Sequence, residues 1–253
     1  MYTLSGFLVG LLAGLTGMAG GSLMTPVLML VFGVQPATAV GTDLLYASAT
    51  KTAGTLVHGL NRNIDWAIVG RLAAGSLPAT VATVAALSLI GRSGREIGTL
   101  ISVVLGVMLL LTALSLIFRR RFLAVIGPRL DGLSPWRVTG LTISVGAIMG
   151  VVVTISSVGA GALGVTSLVL MYPRLPMSRI VGSDIAHAVP LTLVAGFGHW
   201  VLGSVDWVLL STLLTGSVPG ILLGSHLAAR VPDYVLRPVM AATLLLVGGR
   251  LLV

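Results

Sequence analysis

Long apolar runs cover most of the chain, and short polar stretches separate them. The runs do not alternate apolar and polar residues at every second position, as the strands of a membrane barrel would. An α-helix satisfies its own backbone hydrogen bonds, so a continuous apolar run can lie in lipid as a helix. The pattern therefore predicts an all-α polytopic membrane protein.

The first apolar run, residues 4–33, is too long for one span. A single helix of this length would reach roughly 45 Å, against about 30 Å of hydrocarbon. Residues that free the backbone or remove a hydrogen-bond donor cluster in its middle: Gly14, Gly17, Gly20, Gly21 and Pro26. We predict a re-entrant pair of half-helices, 4–16 and 21–33, that meet in a Gly-rich elbow.

The later runs complete two similar halves. Residues 1–118 form the first repeat, with spans predicted at 36–59, 65–90 and 96–118. A basic connector follows at 119–137. The second repeat, 138–253, has a broken segment at 138–172 and spans at 177–202, 206–228 and 234–253.

An internal repeat supports this division. The stretch Val40–Trp66 aligns without a gap on Val181–Trp207, 141 positions later. Seven residues recur across that offset: Val40, Gly41, Asp43, Ala47, His58, Asp65 and Trp66 return as Val181, Gly182, Asp184, Ala188, His199, Asp206 and Trp207. Further matches follow downstream: Gly75, Ser76 and Pro78 return as Gly216, Ser217 and Pro219. Each half is therefore one broken helix plus three spans.

Composition agrees with a membrane protein. The 253 residues are 56% hydrophobic and 9% charged, whereas a soluble domain carries about 25% charged residues. The chain has no cysteine, which excludes disulfides and Cys-ligated metal sites. Because no basic residue precedes Lys51, we interpret residues 4–33 as mature protein rather than a cleaved signal.

The positive charge sets the topology rather than binding nucleic acid. All basic residues except Lys51 are arginines, and nearly all lie between apolar runs, where they contact lipid headgroups. If the broken segments are re-entrant, one side holds Arg62, Arg119, Arg120, Arg121, Arg129, Arg137, Arg174, Arg179, Arg230 and Arg237. The other side keeps Arg92, Arg95 and Arg250. This bias predicts inverted repeats, with both termini outside and the connector in the cytoplasm.

The two Gly-rich elbows, residues 17–22 and 156–161, are the first candidate site. A half-helix that starts at an elbow points free backbone N–H groups at the bilayer midplane, where they can bind an anion. Alternatively, the glycines only let helices pack closely. The predicted substrate-binding residues are Gly17, Gly20, Gly21, Ser22, Lys51, Ser156, Ser157, Gly159 and Gly161.

Asp43 and Asp184 form the second candidate site. An aspartate several residues inside an apolar span is costly, and it is by default functional. We predict that the two carboxylates, together with His187 one turn after Asp184, serve in proton coupling or gating. The alternative is a helix cap or a structural hydrogen bond to a neighbouring helix break.

Other polar residues have more ordinary interpretations. Lys51 lacks a basic equivalent, since Thr192 occupies its position in the second half, and it can attract an anion, pair with a carboxylate or extend to the interface. The Asp-Trp pairs that open two spans predict caps and interfacial anchors. His58 and His199 are expected to make interfacial hydrogen bonds. Asymmetric positions, such as Tyr46 against His187, are where we expect substrate choice to lie.

Several stretches resemble the TauE/SafE sulfite exporter family, also called the toluene-sulfonate uptake permease family. They are GLTGMAGGSLMTPVL, VGTDLLYASATKTAGTLVHG, SVGAGALGVTSLVL, VGSDIAHAVPLTLVAGFGHW and GSVPGILLGSHL, and the resemblance covers almost the whole chain. It implies a multi-pass carrier of the bacterial inner membrane, linked to sulfite, sulfonates or sulfoacetate, with export driven by the proton-motive force. The family motifs fall on Gly17, Gly20, Gly21, Gly159, Gly161, Asp43 and Asp184. Lys51, His187 and the hydroxyls rest on their own chemistry.

Alternative functions stay open at the level of sequence. The cargo could be another small organic anion or a metal ion, although the residues show no metal-ligand spacing. A membrane enzyme is the weakest alternative, because neither a nucleotide loop nor a catalytic triad motif is present. The expected partners are a small anion, protons and the lipid bilayer, with no cofactor and no nucleic acid. A homodimer is left open.

Overall fold

The computed structural model describes residues 2–16, 20–90, 94–130, 132–228 and 233–252. These ranges contain ten α-helices and no strand, which confirms the all-α prediction. The helices are α1 (Tyr2–Thr16), α2 (Gly20–Leu30), α3 (Pro36–Leu60), α4 (Trp66–Ile90), α5 (Gly94–Leu130), α6 (Pro135–Ser156), α7 (Ala162–Met171), α8 (Met177–Val201), α9 (Trp207–Ala228) and α10 (Asp233–Leu252).

Five helices in the described ranges are long and apolar enough to cross a bilayer. The segments are Trp66–Leu89, Ile97–Arg119, Pro135–Ser156, Met177–Val201 and Trp207–Gly224. Helix α3 has 25 residues, roughly 37 Å, but it is more polar. Thr52 and Thr55 satisfy their hydroxyls within the helix, because they donate to the carbonyls of Ser48 and Lys51 at 2.8 and 2.9 Å. This back-bonding lets a hydroxyl-rich helix lie in an apolar environment.

Both broken segments consist of two helices. In the second half, α6 ends and α7 begins across an elbow in which Ser157, Gly159 and Gly161 have φ angles of 58°, 125° and 127°. Two of these angles favour glycine strongly, because a Cβ would clash with the backbone. In the first half, α1 ends at Thr16 and α2 begins at Gly20. The residues between them, 17–19, lie outside the described part of the chain.

Helix α5 is longer than its membrane span. It has 37 residues and continues to Leu130, whereas its apolar span ends at Arg119. Much of the basic connector is therefore helical. Residues 119–126 include neither glycine nor proline and so do not interrupt the helix, which continues through Gly127 and Pro128. Gly132 has a φ of 94° just beyond the end of this helix.

The two halves interlock through small residues. Helix α1 packs along α9, and its equivalent α6 packs along α4. Gly6 meets the backbone of Leu213, and the equivalent Gly146 meets the backbone of Leu72. A Cβ at either glycine would overlap the facing carbonyl oxygen, so these helices approach as closely as their backbones permit.

The equivalent helices α3 and α8 pack against each other and run antiparallel. Gly41, near the start of α3, meets the carbonyl of Ser204 just after α8. Gly182, near the start of α8, meets the carbonyl of Asn63 just after α3. The antiparallel pairing brings equivalent residues of the two halves together around one centre.

Side chains at the helix ends repeat the same arrangement. Thr42 Oγ1 accepts a hydrogen bond from the Asp206 N–H at 3.1 Å, and Ser183 Oγ accepts one from the Asp65 N–H at 2.8 Å. The Oδ1 atoms of the two aspartates accept bonds from the first turns of α4 and α9. The predicted capping role of these aspartates is confirmed.

Candidate functional site

Asp43 and Asp184 lie in the interior of α3 and α8, and both are buried, at 0% and 1% exposure. Each faces a half-helix. The Thr25 hydroxyl on α2 donates a hydrogen bond to Asp43 Oδ2. The backbone N–H of Gly161, the N-cap of α7, faces the Asp184 carboxylate. Neither aspartate caps its own helix. Each instead contacts a helix that follows an elbow: Asp43 contacts α2 and Asp184 the start of α7.

Gly164 makes room for Asp184. An ideal Cβ at Gly164 would overlap Asp184 Oδ1 and would lie 2.9 Å from Met149 Cε. Atoms that close must shift, and a buried carboxylate between two helices has little space to do so. The missing side chain at Gly164 therefore sets the position of the carboxylate against the start of α7.

Lys51 supplies the positive charge of this region. Its ammonium group interacts electrostatically with both carboxylates, more strongly with Asp184 than with Asp43. Lys51 lies eight residues after Asp43 on α3, about 12 Å along the axis, so the partner on the other helix is the better placed one. In the parts of the chain that the structure describes, Lys51 makes no ion pair within 4 Å. The ammonium therefore interacts with both carboxylates at a longer range than a direct ion pair.

His187 and Tyr46, which are equivalent across the repeat, bind equivalent serines. His187 lies on α8, and its Nε2 is 2.8 Å from the Ser76 hydroxyl of α4. Tyr46 lies on α3, and its hydroxyl donates to Ser217 of α9 at 2.6 Å. The same interhelical contact thus carries an imidazole in one half and a phenol in the other. His187 is buried and interacts electrostatically with Lys51.

Four buried polar atoms of this region make no hydrogen bond to any residue that the structure describes. They are Asp43 Oδ1, Ser157 Oγ, Asp184 Oδ1 and His187 Nδ1. Buried polar atoms are nearly always paired in proteins, and each exception calls for an explanation. A polar ligand or exchangeable protons at this site would provide partners for them.

The remaining elbow residues have differing positions. The Ser156 hydroxyl donates to the Val152 carbonyl at 2.8 Å and accepts from the Val158 N–H at 3.2 Å, so it closes the end of α6. Ser157 faces the Asp43 carboxylate, although its hydroxyl makes no hydrogen bond. Gly159 has a φ of 125°, and a Cβ there would lie 3.5 Å from Val153 Cγ2.

The first elbow is described only from Gly20 onward. Gly20 and Gly21 begin α2, and Ser22 follows in its first turn. Gly17 lies outside the described residues, and the predicted roles of these four residues stay predictions.

Sequence reasoning missed several residues of the site. Thr25 and Gly164 carry no motif of their own, because a lone hydroxyl or glycine is common in membrane helices. Ser76 and Ser217 could have been found, since both recur in the repeat beside a glycine. His199, expected at the interface, is instead buried, and its Nε2 lies 2.9 Å from the Thr154 carbonyl.

A separate cavity lies between α2 and α10. Its volume is about 280 Å³. Its walls are apolar except for one arginine: Pro26, Val27, Leu30, Val31, Leu246, Val247 and Arg250. It includes none of the predicted site residues, so the polar centre between α3 and α8 stays the stronger candidate.

Nearly the whole chain matches a known protein family. The family described as sulfite exporter TauE/SafE matches residues 2–251 of this chain. The chain belongs to the TauE/SafE family. Membership of the TauE/SafE family, with the apolar helices of the fold, shows that the protein is a transmembrane transport protein.

Two relatives of this TauE/SafE chain have similar lengths. The probable membrane transporter protein YjnA of Bacillus subtilis strain 168 is 38% identical over 250 residues, which cover 98% of each chain. A probable membrane transporter protein of Xylella fastidiosa strain 9a5c is 26% identical over 219 residues, 84% of this chain and 78% of the relative. No solved structure matches the chain.

Proposed function

We propose that this protein is a secondary transporter that exports small sulfur-containing anions, such as sulfite or an organosulfonate, across the bacterial inner membrane. Transport is coupled to protons. The anion binds where the elbow between α6 and α7 meets α3 and α8, next to the Lys51 ammonium. Asp43 and Asp184 bind and release protons there.

The observation that carries the proposal is the charge arrangement between α3 and α8. A single ammonium group interacts with two buried carboxylates and forms a direct ion pair with neither. The N-terminus of α7 opens into the same centre, so backbone N–H groups and the helix dipole favour an anion there. Charged groups inside a membrane protein mark substrate pathways and proton relays.

The fold supports an alternating-access mechanism. Inverted repeats place equivalent helices in opposite directions about an axis in the membrane plane, and α3 and α8 run antiparallel in this way. Transporters of this design bind substrate near the midplane at broken helices. We infer that the two halves rock about the α3–α8 centre and expose it to one side at a time.

Flux measurements in proteoliposomes test the proposal. Purified protein should carry sulfite or an alkylsulfonate down an imposed gradient, and protein-free vesicles should not. Lys51→Met removes the cation while keeping a similar side-chain length, so anion flux should fall at least about tenfold, as expected for a lost charge contact in a dry site. If neither anion moves through the wild-type protein, the proposed function is wrong.

Thr52→Val is the matched control for Lys51→Met. Thr52 lies next to Lys51 on α3 and is exposed, and its hydroxyl donates a hydrogen bond to the Ser48 carbonyl of the same helix. This variant should keep the wild-type flux. A metal-ion carrier would behave in the opposite way, since cation flux should survive or rise when Lys51 is removed.

A further inference from the structure

Charge balance at the α3–α8 centre has a consequence for coupling. Two carboxylates, Asp43 and Asp184, share one ammonium group, that of Lys51. If both carboxylates were ionised, the buried centre would carry a net negative charge, which is costly in a low-dielectric environment. The favourable resting state therefore has one ionised carboxylate opposite Lys51 and one protonated carboxylate.

The surroundings of each carboxylate fit this assignment. Asp184 interacts more strongly with Lys51, and it also faces the Gly161 N–H. Asp43 faces hydroxyl groups, those of Thr25 from α2 and Ser157 from the elbow. A carboxylic acid can accept from Thr25 at Oδ2 and hold its proton at Oδ1, the oxygen that no described residue contacts by a hydrogen bond.

Two further titratable groups face the centre. Tyr46 interacts electrostatically with Asp43, but its hydroxyl donates a hydrogen bond to Ser217. His187 is buried near Lys51, with Nε2 at Ser76 and Nδ1 without a partner among the described residues. Both side chains already bond to serines, so the exchanged proton is assigned to the two carboxyl groups.

Resting on the proposed anion transport, we propose that the anion and its protons bind together rather than in exchange. A bound monoanion replaces the charge of Asp184 opposite Lys51, and Asp184 takes up a proton from solution. Both carboxyl groups are then neutral, and the centre keeps its charge balance. Binding is reciprocal: protons favour the anion, and the anion favours protons. A dianion requires a second proton to keep the same balance.

This coupling makes the carrier a symporter. An anion that moves with one proton per negative charge crosses without net charge, so the membrane potential does not drive it. A pH gradient that is acid outside favours uptake. The export that the family resemblance links to the proton-motive force is then driven instead by an outward gradient of the anion that exceeds the inward gradient of protons.

Proton uptake on binding tests the inference directly. Methanesulfonate is a suitable probe because it stays ionised across neutral pH. Isothermal titration in two buffers of different ionisation enthalpy counts the protons, and we expect about one taken up per methanesulfonate bound, by proton linkage. Proton release, or binding without uptake, would overturn the inference. This wild-type measurement does not depend on the folding of any variant.

Variants locate the proton. Asp43→Asn/Asp184→Asn leaves a permanent positive charge at Lys51, so proton uptake should fall to nearly none and methanesulfonate affinity should no longer fall with rising pH. Asp65→Asn is the matched control: Asp65 caps α4 outside the centre, and asparagine caps equally well. The control should keep the proton uptake. Unchanged uptake in the double variant would place the proton elsewhere and refute the assignment.

Vesicle flux separates this inference from the proposed function. Methanesulfonate uptake should be driven by an acid exterior and should not respond to a potassium–valinomycin potential. Uptake driven by an acid interior would show exchange and would overturn the symport, while anion transport itself would stand. No binding and no flux of either methanesulfonate or sulfite would defeat the proposed function, and the symport with it.

Discussion

At the scale of single residues, the site depends on the absence of a side chain at Gly164 as much as on its polar groups. Asp184 reaches the start of α7 only because Gly164 has no side chain. Asp43 accepts a hydrogen bond from the Thr25 hydroxyl on α2. Small changes at Thr25 and Gly164 should therefore act on the carboxylates without altering them.

Gly164→Ala should displace the Asp184 carboxylate. The added Cβ would overlap Asp184 Oδ1, and overpacking of this kind costs about 1–3 kcal/mol. We expect anion flux in proteoliposomes to fall about tenfold or more, because misplaced site groups lose their interactions. Gly70→Ala on α4 is the control, since a Cβ there meets nothing within 4 Å. Wild-type flux in Gly164→Ala would contradict this account of the site.

Thr25→Val should destabilise the fold, because it removes the donor of a buried carboxyl group while keeping the shape of the side chain. Leaving such a group unsatisfied costs about 1–3 kcal/mol. Thermal unfolding in detergent should show a lower midpoint for Thr25→Val. Thr25→Ser keeps the hydroxyl and should lie close to wild type. Equal midpoints for the valine and serine variants would mean that this hydrogen bond does not hold α2 against α3.

At the scale of helices, the halves are joined by contacts between backbones. The helices of the pairs α1–α9 and α4–α6 approach each other at glycines. Because glycine has no side chain, the two backbones come close enough for dispersion contacts. Apolar burial drives such pairing weakly inside a bilayer, because lipid is as apolar as the side chains. Close approach is therefore the main source of stability between the halves.

Gly146→Ala should weaken the α4–α6 pair. A Cβ at this position would overlap the Leu72 carbonyl oxygen, a backbone atom that cannot turn away. We expect a loss of about 1–3 kcal/mol, measured as a lower unfolding temperature in detergent. Gly140→Ala on the same helix is the matched control, because a Cβ there meets nothing within 4 Å. If the two variants unfold alike, close backbone approach does not hold this pair together.

At the scale of the whole molecule, the two halves make the same contacts twice. Thr42 bonds to Asp206 as Ser183 bonds to Asp65. The chemistry at the centre is nevertheless asymmetric, because Lys51 faces both carboxylates and the second half has no second lysine. A symmetric scaffold thus carries one cation, and this fits a single anion site shared by both halves.

The orientation of the molecule can be tested by labelling. The chain has no native cysteine, so single cysteines report their own position. The inverted topology predicted from the sequence places Arg121→Cys in the cytoplasm and Val31→Cys outside. A membrane-impermeant maleimide added to whole spheroplasts should label only Val31→Cys, and permeabilised cells should show both. Labelling of Arg121→Cys in intact spheroplasts would reverse the orientation.

Most of the helical layout could be predicted from the sequence. Apolar runs, Gly-rich breaks and the 141-residue repeat are local or periodic patterns, and they determine where helices begin and end. Aspartates before tryptophan predicted the caps of α4 and α9, because capping involves neighbours along the chain. The helical extension of α5 to Leu130 was missed, since the same arginines that mark the end of a span are also good helix formers.

By itself the sequence determined the fold class, the two halves and the unusual polar residues Asp43, Lys51 and Asp184. Only the tertiary structure decided how these residues meet. The antiparallel packing of α3 and α8 brings Asp184 rather than Asp43 into the stronger interaction with Lys51, and Gly164 admits its carboxylate. Such contacts depend on how close two segments that are far apart in sequence lie in the fold. A hydrophobic pattern or a repeat along the sequence does not report that distance.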